Sequence, residues 1–282
     1  MKTKIAHYLV WTLTAAMYAP VFFNLYSFRW DKVDYTHAYY ILPISLWLTW
    51  RKRAALKELA AGSGTGGGSL ASFFLIVPGI LMFIIGWRQD YLFISTLSLI
   101  PLLSGLVLFL YGTGVAKTLS FPILYLLLLV PPPFGILDSI TLPMRYGISA
   151  ATETILGFFD YPITRKGLLL TIGYNDIFMG QPCSGFRSLI TMFSLVLVYV
   201  YIIKGSTGKK LILTAFIIPA ALLGNLIRVI TLCLITFYFG EEAGQGFFHN
   251  FSGIMIFIIT ISGLMGVEAI LDRLYSGRRS YY

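Results

Sequence analysis

Charge is scarce in this chain. Only 12% of its 282 residues are charged, about half the share found in ordinary soluble domains. Histidine and cysteine are scarcer still, with three and two residues. The histidines, His7, His37 and His249, are scattered, and the cysteines, Cys183 and Cys233, stand far apart, so ligand spacing for a metal is lacking. Cys233 lies inside an apolar run and reads as a small core residue, which argues against a disulfide framework. No glycine-rich phosphate loop and no nucleic-acid module is recognisable. No cofactor, metal or nucleic-acid partner is therefore expected. What the chain has in quantity is apolar: 57% hydrophobic, mean hydropathy +0.79. That composition specifies a polytopic membrane protein.

Eight apolar segments reach or approach the length needed to cross a ~30 Å hydrocarbon core. They are Ile5–Tyr26, His37–Trp50, Leu70–Trp87, Tyr91–Tyr111, Leu119–Val130, Ser184–Ile203, Leu211–Phe239 and Phe251–Leu271. The first is read as a retained helix, since no small-residue cleavage site ends it. With the N-terminus inside and the spans alternating, thirteen of the 21 basic residues fall on inner segments, Arg51, Lys52, Arg53 and Lys57 among them. The excess of positive charge fixes this orientation, with both termini cytoplasmic. The expected fold is thus an all-α polytopic membrane protein of about eight transmembrane helices, built as a single domain over residues 1–282. Residues 62–69 read as a flexible cytoplasmic Gly/Ser linker. Residues 131–182 form an extracytoplasmic segment. Pro131-Pro132-Pro133 ends a helix there. Leu137–Phe159 has the mixed periodicity of an amphipathic interfacial helix, and residues 163–178 read as a small β-hairpin.

This topology brings three reactive side chains to one depth. Cys183 opens the sixth span at the outer face. Arg228 falls seventeen residues into the seventh, ~26 Å along its axis. His249 just precedes the eighth. A thiol at a helix N-terminus is biased toward the nucleophilic thiolate, and Arg187, four residues on, favours the same form. A guanidinium inside an apolar span is costly and is usually functional or paired; the bland alternative is snorkelling to headgroups. Asn225, one turn earlier, is placed to hold it. A histidine serves as base and then as acid. Cys183, Arg228 and His249 together describe acyl transfer through a thioester, with Arg228 supplying the oxyanion donor. His37, at the outer start of the second span, is either a supporting group, a rival base or a structural interface residue. His7 lies at the inner side, away from this chemistry.

At these residues the chain resembles the exosortase/archaeosortase family of membrane cysteine transpeptidases or proteases. Pro182-Cys183-Ser184-Gly185-Phe186-Arg187-Ser188 is similar to its nucleophile motif, Asn225-Leu226-Ile227-Arg228 to its Asn-x-x-Arg motif, and Phe248-His249-Asn250-Phe251-Ser252-Gly253 to its histidine motif. Asp34-Tyr35-Thr36-His37, Trp50-Arg51-Lys52-Arg53, Phe121-Pro122 and Pro162-Ile163-Thr164-Arg165-Lys166-Gly167 are similar as well. Ala38 stands where the family pattern leads one to expect glycine. The resemblance implies cleavage of a C-terminal sorting signal on exported proteins: a Pro-Glu-Pro type motif, a transmembrane helix and a basic cluster. The cut end is passed to water or to an unidentified surface acceptor, linking sorting to exopolysaccharide or surface assembly. His249 in the third motif favours the bacterial exosortase side, hence an inner-membrane enzyme with an outward-facing site, in contact with membrane lipid. Two rival readings stand beside it. One is a non-enzymatic transporter or assembly scaffold that binds an anionic solute or exopolysaccharide through Arg228. The other is a thiol–disulfide carrier using Cys233.

Overall fold

The computed structural model describes residues 2–30, 35, 37–62, 70–133, 135–180, 185–203, 206–245, 258, 261–263, 265–271 and 273. The chain divides into two compact units, Met1–Phe134 and Gly135–Tyr282. The linker expected at 62–69 lies, apart from Gly62, outside the described residues.

The first unit is helical throughout. It holds α1 (Lys2–Leu25, prolonged by a π-helical turn Tyr26–Trp30), α2 (Ala38–Arg51), α3 (Arg53–Gly62), α4 (Leu70–Arg88), α5 (Leu92–Leu97) and α6 (Leu99–Tyr125), then a 3₁₀ turn, Leu126–Leu129. Among the described residues of both units, four stretches are long and apolar enough to cross a membrane: Ile5–Trp30, Leu70–Arg88, Leu92–Leu129 and Thr207–Phe239. Leu189–Ile202 and Ile261–Leu271 are shorter apolar helices. Large apolar side chains such as Leu9, Leu13, Phe74 and Ile85 face outward, as a lipid-facing surface permits.

Leu92–Leu129, 38 residues, is too long for a single crossing, since a straight helix of that length measures ~57 Å. Its contacts show that it is not straight. The Tyr18 hydroxyl lies 2.6 Å from Ser98 Oγ, and Trp11 Nε1 donates to the Tyr111 hydroxyl at 3.0 Å. So α1 runs antiparallel to the first half of α6. Ser45 Oγ donates to the Pro122 carbonyl at 2.8 Å, and His37 Nε2 lies 3.2 Å from the Leu128 carbonyl. So α2 runs antiparallel to the second half. The rings of Trp30 and Tyr39 meet at 5.4 Å, although a straight rod would hold Ser98 and Leu128 ~45 Å apart. The chain therefore folds back at Gly112, whose φ of 79° and ψ of 179° are non-helical and suit only glycine. Two crossings result, matching the fourth and fifth expected from sequence. Pairing of α4 with α6 needs small residues: a Cβ at Gly79 would come 2.9 Å from Leu102 N, and one at Gly105 2.9 Å from Ile76 N.

The second unit holds α7 (Ile136–Phe158), β1 (Ile163–Lys166), β2 (Leu169–Ile172), β3 (Asn175–Phe178), α8 (Phe186–Ile202), α9 (Thr207–Phe239) and α10 (Glu241–Gln245), then the Ile261–Leu271 helix. The expected hairpin is present and carries a third strand, making an antiparallel meander of order β1-β2-β3. Ile163 pairs with Ile172, and Ile172 with Asn175. Gly167 and Gly173, both at positive φ, make the two tight turns. The meander packs on the C-terminal part of α9. Ile148 and Leu156 of α7, Leu170, Ile172, Ile177 and Met179 of the sheet region, and Val229, Leu232 and Cys233 of α9 form one buried cluster. Cys233 is fully buried in it, as expected of a packing residue.

At the other end of α9, Lys209 Nζ meets Glu268 Oε1 at 2.9 Å, and the Tyr199 hydroxyl also donates to Glu268. This pair closes an apolar crevice of ≈ 350 Å³ bounded by Val196, Ile217, Ile261 and Met265. Lys209 is buried, so removing its partner alone strands a charge away from water. Glu268→Gln is expected to destabilise the protein by about 3–5 kcal/mol. The double variant Lys209→Met/Glu268→Leu should recover most of that loss. Thermal unfolding in detergent checks both, and an unaltered midpoint for Glu268→Gln would refute the assignment.

Candidate active site

Thr207–Phe239 contains 33 residues, ~50 Å of helix, which exceeds a ~30 Å hydrocarbon core by ~20 Å. Counting ~20 residues from the Lys209–Glu268 pair for one crossing brings the far boundary to about Val229. Arg228 falls just before the end of that count, and the meander and α7 pack on the turns of α9 that follow. Asn225 is buried and Arg228, one turn further, half-buried.

The start of α8 reaches the same point. Its first residue is Phe186, and Gly185 before it is left-handed, φ 74°. A Cβ at Gly185 would lie 2.7 Å from Asn225 Cγ and 2.7 Å from Nδ2. The backbone of the first motif is thus pressed against the side chain that opens the second, two motifs forty residues apart in sequence (185 to 225). Both the conformation and the contact exclude a side chain, so Gly185→Ala must strain the backbone and displace Asn225. The expected cost is about 1–3 kcal/mol in stability, together with loss of activity. The companion Asn225→Ala in the same background removes Cγ and Nδ2 but keeps a Cβ 2.8 Å away, so it should relieve only part of the clash and leave the strain. Thermal unfolding of the single and double variants tests this; a Gly185→Ala protein as stable as the wild type would contradict it.

Cys183 and His249 lie outside the described residues, as does the side chain of Arg187, whose backbone belongs to the first turn of α8. The helical register relating position 187 to its neighbours begins at Phe186; Gly185 interrupts it. His37, in the first unit, is buried and precedes α2. Its Nε2 bonds the Leu128 carbonyl and its ring lies 5.6 Å from that of Tyr35, an arrangement that ties α2 to the 3₁₀ turn. Gly185 was not singled out from sequence, although a glycine just ahead of an apolar run is the available signal for a left-handed residue at a helix boundary.

Arg145 also escaped sequence reading. On α7 the buried residues are Thr141, Arg145, Ile148, Ser149, Thr152 and Leu156, one stripe at helical spacing. The exposed side carries Ile136, Ile140, Leu142 and Tyr146. An amphipathic helix facing water would show the opposite pattern, apolar side in. Here a polar stripe is turned inward and an apolar face outward.

Two features define the class: several helices long and apolar enough to cross a membrane, and a 33-residue apolar helix that carries Asn225 and Arg228. The chain belongs to the transmembrane exosortase family, whose sequence pattern matches residues 30–266. Membership brings the general role of a membrane transpeptidase or protease acting on exported proteins. No curated protein and no solved structure matches the chain.

Proposed function

We propose that this protein is a cysteine endopeptidase or transpeptidase that cuts a C-terminal sorting signal from exported proteins at the outer boundary of the bacterial inner membrane. The observation that carries the reading is the contact between Gly185 and Asn225. It sets the nucleophile motif against the Asn-x-x-Arg motif. Two residues of sequence separate Cys183 from Gly185, ~7 Å at full stretch. Four separate His249 from Gln245, the end of α10, a reach of ~14 Å. The chain connections thus allow Cys183 and His249 to gather near Arg228.

The chemistry follows from those groups. The Cys183 thiolate attacks the scissile carbonyl, forming a carbon–sulfur bond, and Arg228 stabilises the oxyanion. Collapse breaks the carbon–nitrogen bond, and His249, protonated by the thiol, passes that proton to the departing amine. The thioester is then resolved by water or by an acceptor amine, with His249 taking up the nucleophile's proton. Asn225 backs the left-handed turn at Gly185, since its Oδ1 makes no hydrogen bond that could hold the Arg228 guanidinium. His37 positions α2. A substrate whose own helix enters the bilayer is delivered beside the site, which supplies proximity. Basic positions concentrated on the opposite side support cytoplasmic termini and an outward-facing site.

A membrane-impermeant maleimide added outside intact spheroplasts should label Cys183 in a Cys233→Ala background. Labelling only after the inner face is opened would overturn the orientation. The mass of the processed substrate's new C-terminus distinguishes a free carboxylate from a transferred product.

A further inference from the structure

We infer that a cavity at one end of the first unit binds the headgroup of a phospholipid that carries a primary ammonium, with Asp90 and Arg29 as the two charged poles of the site. The cavity measures ≈ 290 Å³, and Asn24, Arg29, Gly86, Trp87, Asp90 and Ser95 are among its walls. Ligand pockets run from ~300 to 1,000 Å³, so this one suits a compact group and not a folded segment of a partner. Two stretches long and apolar enough to cross a membrane, Ile5–Trp30 and Leu70–Arg88, both end at it. Lipid headgroups lie where such stretches leave the hydrocarbon. The inference does not depend on the peptidase reading above.

Local structure builds the walls. The π-helical turn Tyr26–Trp30, a form frequent at functional sites, carries Arg29 at the end of α1. On the other side α4 and α5 meet closely, since a Cβ at Gly86 would lie 2.5 Å from Ser95 N. The chain passes from one helix to the other through Asp90, whose φ of 53° is left-handed. The Tyr91 N–H then returns to the Gly86 carbonyl at 2.8 Å. Aspartate tolerates that backbone, but asparagine and glycine do as well. An aspartate in a turn usually accepts a local hydrogen bond on its carboxylate. The Asp90 carboxylate accepts none among the described residues, and it is exposed. A lone exposed carboxylate is ordinarily just solvated. Asp90 is not alone: Arg29 lines the same cavity, yet the two form no ion pair.

Opposite charges held apart in one cavity select a ligand that itself carries both signs. A phosphoethanolamine headgroup meets each wall. Its primary ammonium donates to the Asp90 carboxylate and to the Asn24 side-chain carbonyl, and its phosphate accepts from Arg29. Arg29 has a further interaction of its own, which a guanidinium with several donors accommodates. Trp87, stacked on Phe83 at 6.3 Å, supplies an aromatic ring for the ammonium. Rival occupants fit worse. A choline headgroup has no N–H to give Asp90. A glycerol headgroup has no cation, and its phosphate would face Asp90 as a like charge. A neutral sugar compensates neither charge.

The test is lipid retention by the full-length protein, read by native mass spectrometry. Purified protein in detergent is offered equal amounts of phosphatidylethanolamine, phosphatidylcholine and phosphatidylglycerol with identical acyl chains. One phosphatidylethanolamine should be retained about tenfold over either rival, the increment of a charged hydrogen bond. Asp90→Asn keeps the side-chain shape and the left-handed backbone, so its thermal unfolding should match wild type while the preference for ethanolamine over choline disappears. Arg29→Gln should weaken retention of phosphatidylethanolamine several-fold by releasing the phosphate. Asp160 supplies the control: it too is exposed and left-handed, φ 60°, but it does not line the cavity, so Asp160→Asn should retain lipid as wild type does. Equal retention of all three lipids overturns the proposal, as does a preference that survives Asp90→Asn or is lost equally in Asp160→Asn. Selective retention of phosphatidylglycerol would make this an anionic-lipid site and also overturn it. Soluble O-phosphoethanolamine has the same headgroup chemistry; if it binds as tightly as the lipid, the site belongs to a free metabolite and the lipid assignment falls.

Discussion

Cys183→Ala is expected to leave full-length substrate in the membrane with no processed form. Acyl transfer through a thioester has no route around the sulfur, and removing the nucleophile of a covalent mechanism costs on the order of 10⁴–10⁶ in kcat. Cys183→Ser is expected to fail almost as fully. Its hydroxyl is a far weaker acid than a thiol, and a neighbouring cation that favours a thiolate does little for an alkoxide. Cys233→Ala is the control. That thiol is wholly buried among Val229, Leu232 and the sheet residues, so its loss disturbs packing and spares processing. An immunoblot of membranes expressing a tagged substrate reads all three variants. Normal processing by Cys183→Ala would sink the peptidase reading. A transport or assembly defect confined to Arg228 variants would then favour an anion-binding membrane protein. Dependence on both cysteines, with a mixed disulfide trapped at Cys183, would favour a thiol carrier.

The fold was readable wherever a physical constraint acts on single positions. Apolar runs must span a core of fixed thickness, and a positively charged inner segment is written in Lys and Arg. Tyr91–Tyr111 and Leu119–Val130 were separable because polar and small residues lie between them; Gly112 is where the chain turns. The β-region was visible as a hairpin over residues 163–178, with glycines on either side of a strand, but its third strand was not. Asn175–Phe178 is short, and only its pairing with β2 makes it a strand. What sequence could not supply were relations between distant positions. Lys209 read as an inner-loop charge, yet it is buried against Glu268, 59 residues on. Polar residues on α7 read as the wet side of an interfacial helix, yet Arg145, Ser149 and Thr152 are buried. In a membrane protein both faces of an amphipathic helix can be inverted, since lipid accepts the apolar one. Periodicity reveals that two faces exist; it does not say which one the protein covers. For the candidate site, residue types and order were legible, and the closure of Gly185 onto Asn225 was not.

Arg228→Gln should lower the rate of processing by about 10²–10³-fold while substrate still binds, the usual cost of losing one oxyanion donor. The position makes this a sharp test. Arg228 lies one turn past Asn225, whose side chain presses on the Gly185 backbone of the first motif. A donor that acts only on developing negative charge contributes to the transition state and little to the ground state, so KM should move far less than kcat. Arg228→Lys separates charge from geometry. A lysine restores the positive charge but lacks the planar fork, and its shorter reach displaces the donor, so activity between that of glutamine and arginine is expected. Asn225→Ala should fall below wild type for a different reason. It leaves Arg228 intact but removes the amide that presses on Gly185, so its loss should add to that of Arg228→Gln instead of being absorbed by it. Single-turnover processing of a purified substrate, with thermal unfolding of each variant alongside, reads these outcomes. Equal losses in KM and none in kcat for Arg228→Gln would make the guanidinium a substrate-binding group and leave the oxyanion to another donor.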